Sequence, residues 1–340
     1  MHLSVFVICG IILMSSMPGC LDGDGVDDRF DLPGIDMASI SNWLQIQTLS
    51  HNASVNSLTF SPDGSILAFA SDDTTIRIWD TSNWTEIQIL WNHTADVLCV
   101  TFSPDGTLLA SGSDDENIMI WDTSNWTLMQ TLTNHTKEVN SVDFSPDGTL
   151  LASGADWGDI IIWDTSNWTL MKEFDVSDRM QTTSDVDSVA FSPDGTLFAS
   201  ASRNENITIW STDNWTLIQS LTDHKRDGNG ASAVNSVTFS PDSNLLSSAS
   251  RDNTARVWET ANWTEVTILN QFTSGVNSVI FTPNGTMLFT ASNDGLKIWN
   301  TLIWTQVHED SSNYEVIAIS SDGSLLATVT SRSSVTLWGN

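Results

Sequence analysis

The sequence predicts an all-β protein built from one repeated four-stranded sheet. Three observations carry the prediction. A tryptophan recurs at near-even spacing through most of the chain. The residues around each tryptophan form short β-branched and aromatic runs. Turn signals stand between those runs. The tryptophans are Trp79, Trp121, Trp163, Trp210, Trp258, Trp299 and Trp338, at spacings of 42, 42, 47, 48, 41 and 39 residues. Helical periodicity is absent across the region.

Each element of the unit has its own signal. In the third copy, Val139–Val142 leads into Phe144 as the first strand. Ser145-Pro-Asp-Gly148 follows, with proline preset for the first corner and glycine where a left-handed residue is needed. Thr149–Ser153 is the second strand and Ile160–Trp163 the third. Asp164-Thr-Ser-Asn167 is a second turn, and Trp168 opens the fourth strand. A sheet of this kind is apolar on both faces, so each copy must be covered by its neighbours. A period of about 40–45 residues with four strands is that of a propeller blade. Seven copies then close into a ring, a seven-bladed β-propeller over residues 41–340. The last copy stops after its third strand, and Ser41–Leu49 repeats the pattern of Ser124–Leu132. The N-terminal strand 43–49 is therefore expected to pair with the C-terminal strand 334–338 and complete the seventh blade, removing two open edges.

These residues resemble the WD40-repeat family. The Trp-Asp pair stands at Trp79-Asp80, Trp121-Asp122 and Trp163-Asp164, and degrades to Trp210-Ser211, Trp258-Glu259, Trp299-Asn300 and Trp338-Gly339. The family's Gly-His position reads Ser50-His51, Asn92-His93, Asn134-His135 and Asp223-His224. The resemblance implies that recurrent His, Ser, Asp and Trp form a structural hydrogen-bond network in each blade. The expected sets are His51, Ser71, Asp73 and Trp79; His93, Ser113, Asp115 and Trp121; and His224, Ser250, Asp252 and Trp258. Three copies of one set argue for structure rather than a catalytic triad. Trp157, Asn204, Asn293 and Arg332 stand at the aspartate position of blades three, four, six and seven, which are expected to be looser or free for contact.

The N-terminus is different material. Leu3–Met14 is apolar and ends at Pro18-Gly-Cys20. Residues 1–19 resemble a secretory signal peptide of the prokaryotic lipoprotein type, with Cys20 as the lipidated residue. An uncleaved anchor and an ordinary cleaved signal are the other two readings. Residues 20–40 form an acidic tether. Within it Asp22, Asp24, Asp28 and Asp31 resemble a partial calcium loop, against the plainer reading of a solvated spacer. Cys99, flanked by apolar residues, is expected to be a buried core residue.

Twelve basic residues against 42 acidic ones give a formal charge of −30, which disfavours nucleic acid and anionic lipid as partners. Membrane contact is expected only through the N-terminal anchor. Five of the rare cations, Arg179, Arg203, Lys225, Arg226 and Arg251, cluster in loops of blades four and five, with Trp157 on blade three beside them. In the family such loops share one rim of the ring. A cation cluster with a loop tryptophan suits an anionic or carbohydrate-bearing partner, another protein or a surface polymer; local charge relief is the alternative. Sequons at Asn83, Asn125, Asn167, Asn214 and Asn262 fall in the repeated Asn-Trp-Thr turn, while Asn52, Asn92 and Asn134 flank the histidines. Exported, the chain is a candidate glycoprotein; the plainer reading makes Asn-Trp-Thr a turn with its tryptophan packed between blades. No cofactor is expected beyond calcium. No phosphate loop, zinc spacing or nucleophile elbow is present. The expected function is a non-enzymatic scaffold at the cell surface. The alternatives are a ligand-binding or enzymatic propeller with its site in the central channel, whose inner strands offer only Asp187, and a cytoplasmic adaptor.

Overall fold

The computed structural model describes residues 43–177, 184–225, 232–330 and 333–339. Cys20, the aspartates at 22–31, Arg179, Arg226 and Arg332 lie outside them. The described residues form seven four-stranded antiparallel sheets. Six are made of consecutive strands, with the first strand of each innermost. The seventh is composite. Leu44–Ser50 pairs antiparallel with Ser334–Gly339, from Leu44 opposite Gly339 to Ser50 opposite Ser334. The ring is thus closed by the two ends of the chain, as the repeat pattern predicts.

Local chemistry fixes each turn. In Ser103-Pro-Asp-Gly106 the Gly106 amide donates to Ser103 O at 2.8 Å, and Gly106 has φ 72°. Asp105 Oδ1 accepts from Ser103 Oγ at 2.6 Å and from Thr107 N at 3.0 Å. The second turn places Trp126 at φ 59°, which is costly for an aromatic residue. The indole packs on the apolar cluster between blades one and two, which offsets that cost. Asn125 Oδ1 accepts from Thr127 N and Oγ1 at 2.9 and 2.7 Å, so the Asn-Trp-Thr sequence builds this turn.

Alternation sends successive side chains to opposite faces, so each blade offers apolar residues to both neighbours. At the interface of blades one and two, Ile76, Ile78 and Leu90 meet Val97, Leu109 and Trp121. Tight approach is visible at Gly154, where an added Cβ would lie 2.5 Å from Val186 Cγ1 of the next blade. Cys99 is buried and free, and burial pushes its thiol up to about 12. No helix among the described residues is long and apolar enough to cross a membrane.

Candidate functional site

The histidine networks sit where the loop entering a blade meets the loop between its second and third strands. In blade two, His93 Nδ1 pairs with Asp115 Oδ2 at 2.9 Å, and Nε2 bonds Ser111 Oγ at 2.8 Å. Trp121 Nε1 donates to the same Ser111 Oγ at 3.1 Å. Burial works against the charge on Asp115, but hydrogen bonds from His93 and Thr94 hold its carboxyl well below the usual range. The serine expected from sequence, Ser113, is not this residue. It lies at the strand end, donates to Ala95 O and receives the Asp115 amide. The same correction applies in blade five, where His224 bonds Ser248 and Asp252, and Ser250 donates to Ser232 O. The cause is the strand register: Ser111 lies opposite Met119 and Ser248 opposite Arg256, in the middle of the sheet, whereas Ser113 and Ser250 sit at the end of the second strand. In blade one Phe69 takes the place of Ser111, and His51 Nε2 turns to Ser71 at 2.6 Å and Asp73 at 3.1 Å. Trp79 Nε1 and Trp258 Nε1 have no partner among the described residues.

Two blades expected to be loose are tied instead. In blade three Trp157 does hold the aspartate position, but Asp159 reaches His135 Nδ1 at 2.6 Å, with Ser153 on Nε2 and on Trp163 Nε1. In blade six the residue aligned with Asp115 is Asp294, not Asn293. Its carboxylate accepts from the backbone of Thr273 and from Ser274 N at 3.0 Å. A histidine is absent there because Phe272 occupies its place.

The same rim carries the charged groups. Trp157 is 62 % exposed, at φ 68° in the 3-10 turn Asp156–Gly158, and Lys137 Nζ lies 4.0 Å from its ring centre. Its amide donates to Asp185 Oδ1 at 3.0 Å. Asp185 Oδ2 also accepts from Arg203 at 2.6 Å, and Arg203 Nε donates to Asp187 Oδ1 at 3.0 Å. Trp157 and Arg203 are therefore joined through Asp185, and Arg203 is engaged in ion pairs. Lys225 and Arg251 are exposed, and Arg251 Nε donates to Asn235 Oδ1 at 3.1 Å. Beside this basic sector is an acidic arc on blades one to three, joined to it where Asp156 and Glu138 meet Asp185 and Arg203. Asp114 is raised by burial and then by Asp96, Asp156 and Asp72; Glu138 is raised by burial and then by Asp156, Asp114 and Asp185. Sequence reading found the cations and missed this arc, because acidic residues are common everywhere in the chain.

The channel holds two carboxyls of altered acidity. Asp187 is pushed to about 6 by burial, with Arg203 opposing the shift. Asp143 was missed. It replaces the Thr59, Thr101 or Thr238 of other inner strands, accepts from Phe191 N at 2.8 Å, and burial raises it to about 7. No group of three or more metal-ligating side chains is found among the described residues.

Seven sheets in a closed ring, four of them tied by a histidine–carboxylate–serine network that a tryptophan joins in blades two and three, define a repeat propeller. The model of the WD domain, G-beta repeat, matches residues 43–80, 84–122, 126–164, 176–211, 215–259 and 263–300, and the chain belongs to the WD40 family. The seventh sheet, three of whose strands lie beyond those six matches, comes from the pairing of the chain ends. No curated protein matches the chain. WD40 propellers generally bind other proteins, and the fold is that of a protein-interaction scaffold.

Proposed function

We propose that the chain is a non-enzymatic scaffold, exported and held at the cell surface by a lipid on Cys20, which binds a partner through the rim around its channel mouth. The observation that carries the rim assignment is its polarity. Lys225, Arg251 and Arg203 on blades four and five stand beside an acidic arc of Asp72, Asp96, Asp114, Glu138 and Asp156. Such a surface suits a protein or surface polymer that offers both charge signs in a fixed order. Trp157 supplies an exposed aromatic anchor beside it. Export and anchoring rest on residues 1–20 alone, and calcium at Asp22, Asp24, Asp28 and Asp31 on loop spacing alone. Glycan on Asn52, Asn92 or Asn134 would follow from export.

Arg203 is a poor choice for a binding test. Its removal leaves Asp187 buried without its cation, so the fold itself suffers. The informative variant changes Lys225, Arg226 and Arg251 to Ser. Affinity purification of the solubilised full chain should recover a partner with the parent and lose it with the variant, at an unchanged melting temperature. Recovery of the same partner by the variant would refute the rim. A second reading, a ligand site in the channel, is favoured by one observation: the raised carboxyl of Asp143 among neutral neighbours.

A further inference from the structure

Apolar clusters fill six of the seven interfaces between blades. Between blades six and seven, among the described residues, the space is a cavity of about 90 Å³. Two substitutions in the repeat create it. The outer strand of a blade carries an apolar residue at or next to its end: Leu49, Leu90, Leu132, Leu221 and Leu269, all buried, and the half-buried Phe174 in blade three. Blade six has Asp310 there, opposite Leu296. The inner strand of the next blade begins with valine at Val55, Val97, Val139, Val186, Val234 and Val276, but with Tyr314 in blade seven. A chain that needed only filler had a leucine–valine pair available, since it uses one almost everywhere else.

The cavity is lined by three aromatic residues, Trp43, Trp338 and Tyr314, by the Asp310 carboxylate and the His308 imidazole, and by aliphatic groups including Leu296 and Ile298. Four of the lining side chains are anchored. Tyr314 is 1 % exposed, and its hydroxyl bonds Asp310 and Ser312. Asp310 Oδ1 accepts from Ser312 N at 2.8 Å. Trp338 Nε1 donates to Thr328 Oγ1 at 3.1 Å, and Trp43 stacks on Phe289 with ring centres 5.9 Å apart. Aromatic faces with one carboxylate attract a cation. Asp310 already accepts from Ser312 N and bonds Tyr314, and the rest of the wall is largely aromatic and aliphatic, so the three N–H groups of a primary ammonium could not all be satisfied there. A cation without N–H groups meets no such cost, and the strongly negative chain draws cations to its surface.

We propose that the cavity between blades six and seven is a binding site for a trimethylammonium group. It shares no residue with the charged rim and does not depend on what the rim binds. Calorimetric titration of the full chain with choline should show saturable one-to-one binding. Ethanolamine, and the neutral isostere 3,3-dimethylbutan-1-ol, should bind at least about tenfold more weakly, because each lacks one half of the recognition. Flotation with phosphatidylcholine vesicles, run in parallel, tells a lipid headgroup from a free solute. Asp310→Asn should weaken choline binding by about tenfold. The double variant Asp310→Leu with Tyr314→Val restores the pair used at other interfaces; it should remove binding while raising the melting temperature. Absence of saturable binding of choline or vesicles, equal binding of the neutral isostere, or choline binding retained in the well-folded double variant would each overturn the assignment.

Discussion

At the scale of single residues, the networks show what a recurring pattern of side chains leaves open. His93, Asp115 and Trp121 were legible because their spacing repeats. The serine was not, because two serines stand two residues apart on one strand, and alternation allows both to face the same way. Geometry selects Ser111, which serves His93 and Trp121 together. Ser111→Ala should therefore cost about 2 kcal/mol, since it leaves two buried groups short of a partner, and Ser113→Ala about 1 kcal/mol. Urea midpoints of the two variants measure the order, and a larger loss for Ser113 would reverse the assignment. Asp143 makes a second residue-scale prediction. Its folded value, about 7, lies above the ordinary 3.8, so the native state holds the proton more tightly than the unfolded chain. Stability from this group is fully present below about pH 4, falls as pH rises towards 7, and is level above that. Asp143→Asn should change little at pH 4 and stabilise by about 2 kcal/mol at pH 8, read from unfolding curves at both values. An equal effect at the two pH values would mean that the carboxyl titrates normally.

Strands and turns were more legible than the positions within them. The Ser-Pro-Asp-Gly and Asn-Trp-Thr turns follow from backbone demands: a residue at positive φ, and a short side chain that caps the next amide. Those demands are local, so sequence alone meets them. Blade three was misjudged for a non-local reason. Its loop carries Trp157 in place of the aspartate, yet the carboxylate returns two residues later at Asp159, the first residue of the third strand. A short 3-10 turn absorbs the displacement and turns the tryptophan outward. In blade six a one-residue misalignment hid Asp294, because the turn there is a residue shorter before Gly295. The paired exchange of Leu and Val for Asp310 and Tyr314 was also in plain view. It goes unnoticed because its members belong to different blades and meet only across an interface.

At the scale of the whole molecule, closure is the property that the repeats could predict and no single repeat contains. Blade seven exists only while Leu44–Ser50 remains paired with Ser334–Gly339. The pairing also buries Leu49, to 4 % exposure, in a cluster with Val55 and Leu67 of blade one and Val335 and Leu337 of blade seven. Loss of the strand therefore uncovers an apolar patch and frees the edge of Ser334–Gly339. An unpaired edge of this kind templates association with another chain. A chain begun at Ser54 should melt at least about 10 °C below the full chain, and should self-associate when sized in solution. The loss should also be cooperative. Each blade is covered only by its neighbours, so an opened ring exposes one face on each side of the gap. A second arm restores the strand: Leu49→Ala in the full chain keeps the backbone pairing but empties the cluster, at a cost of about 2–4 kcal/mol without self-association. A shortened chain that stays monomeric at the parent melting temperature would show that six complete blades hold the ring without the clasp.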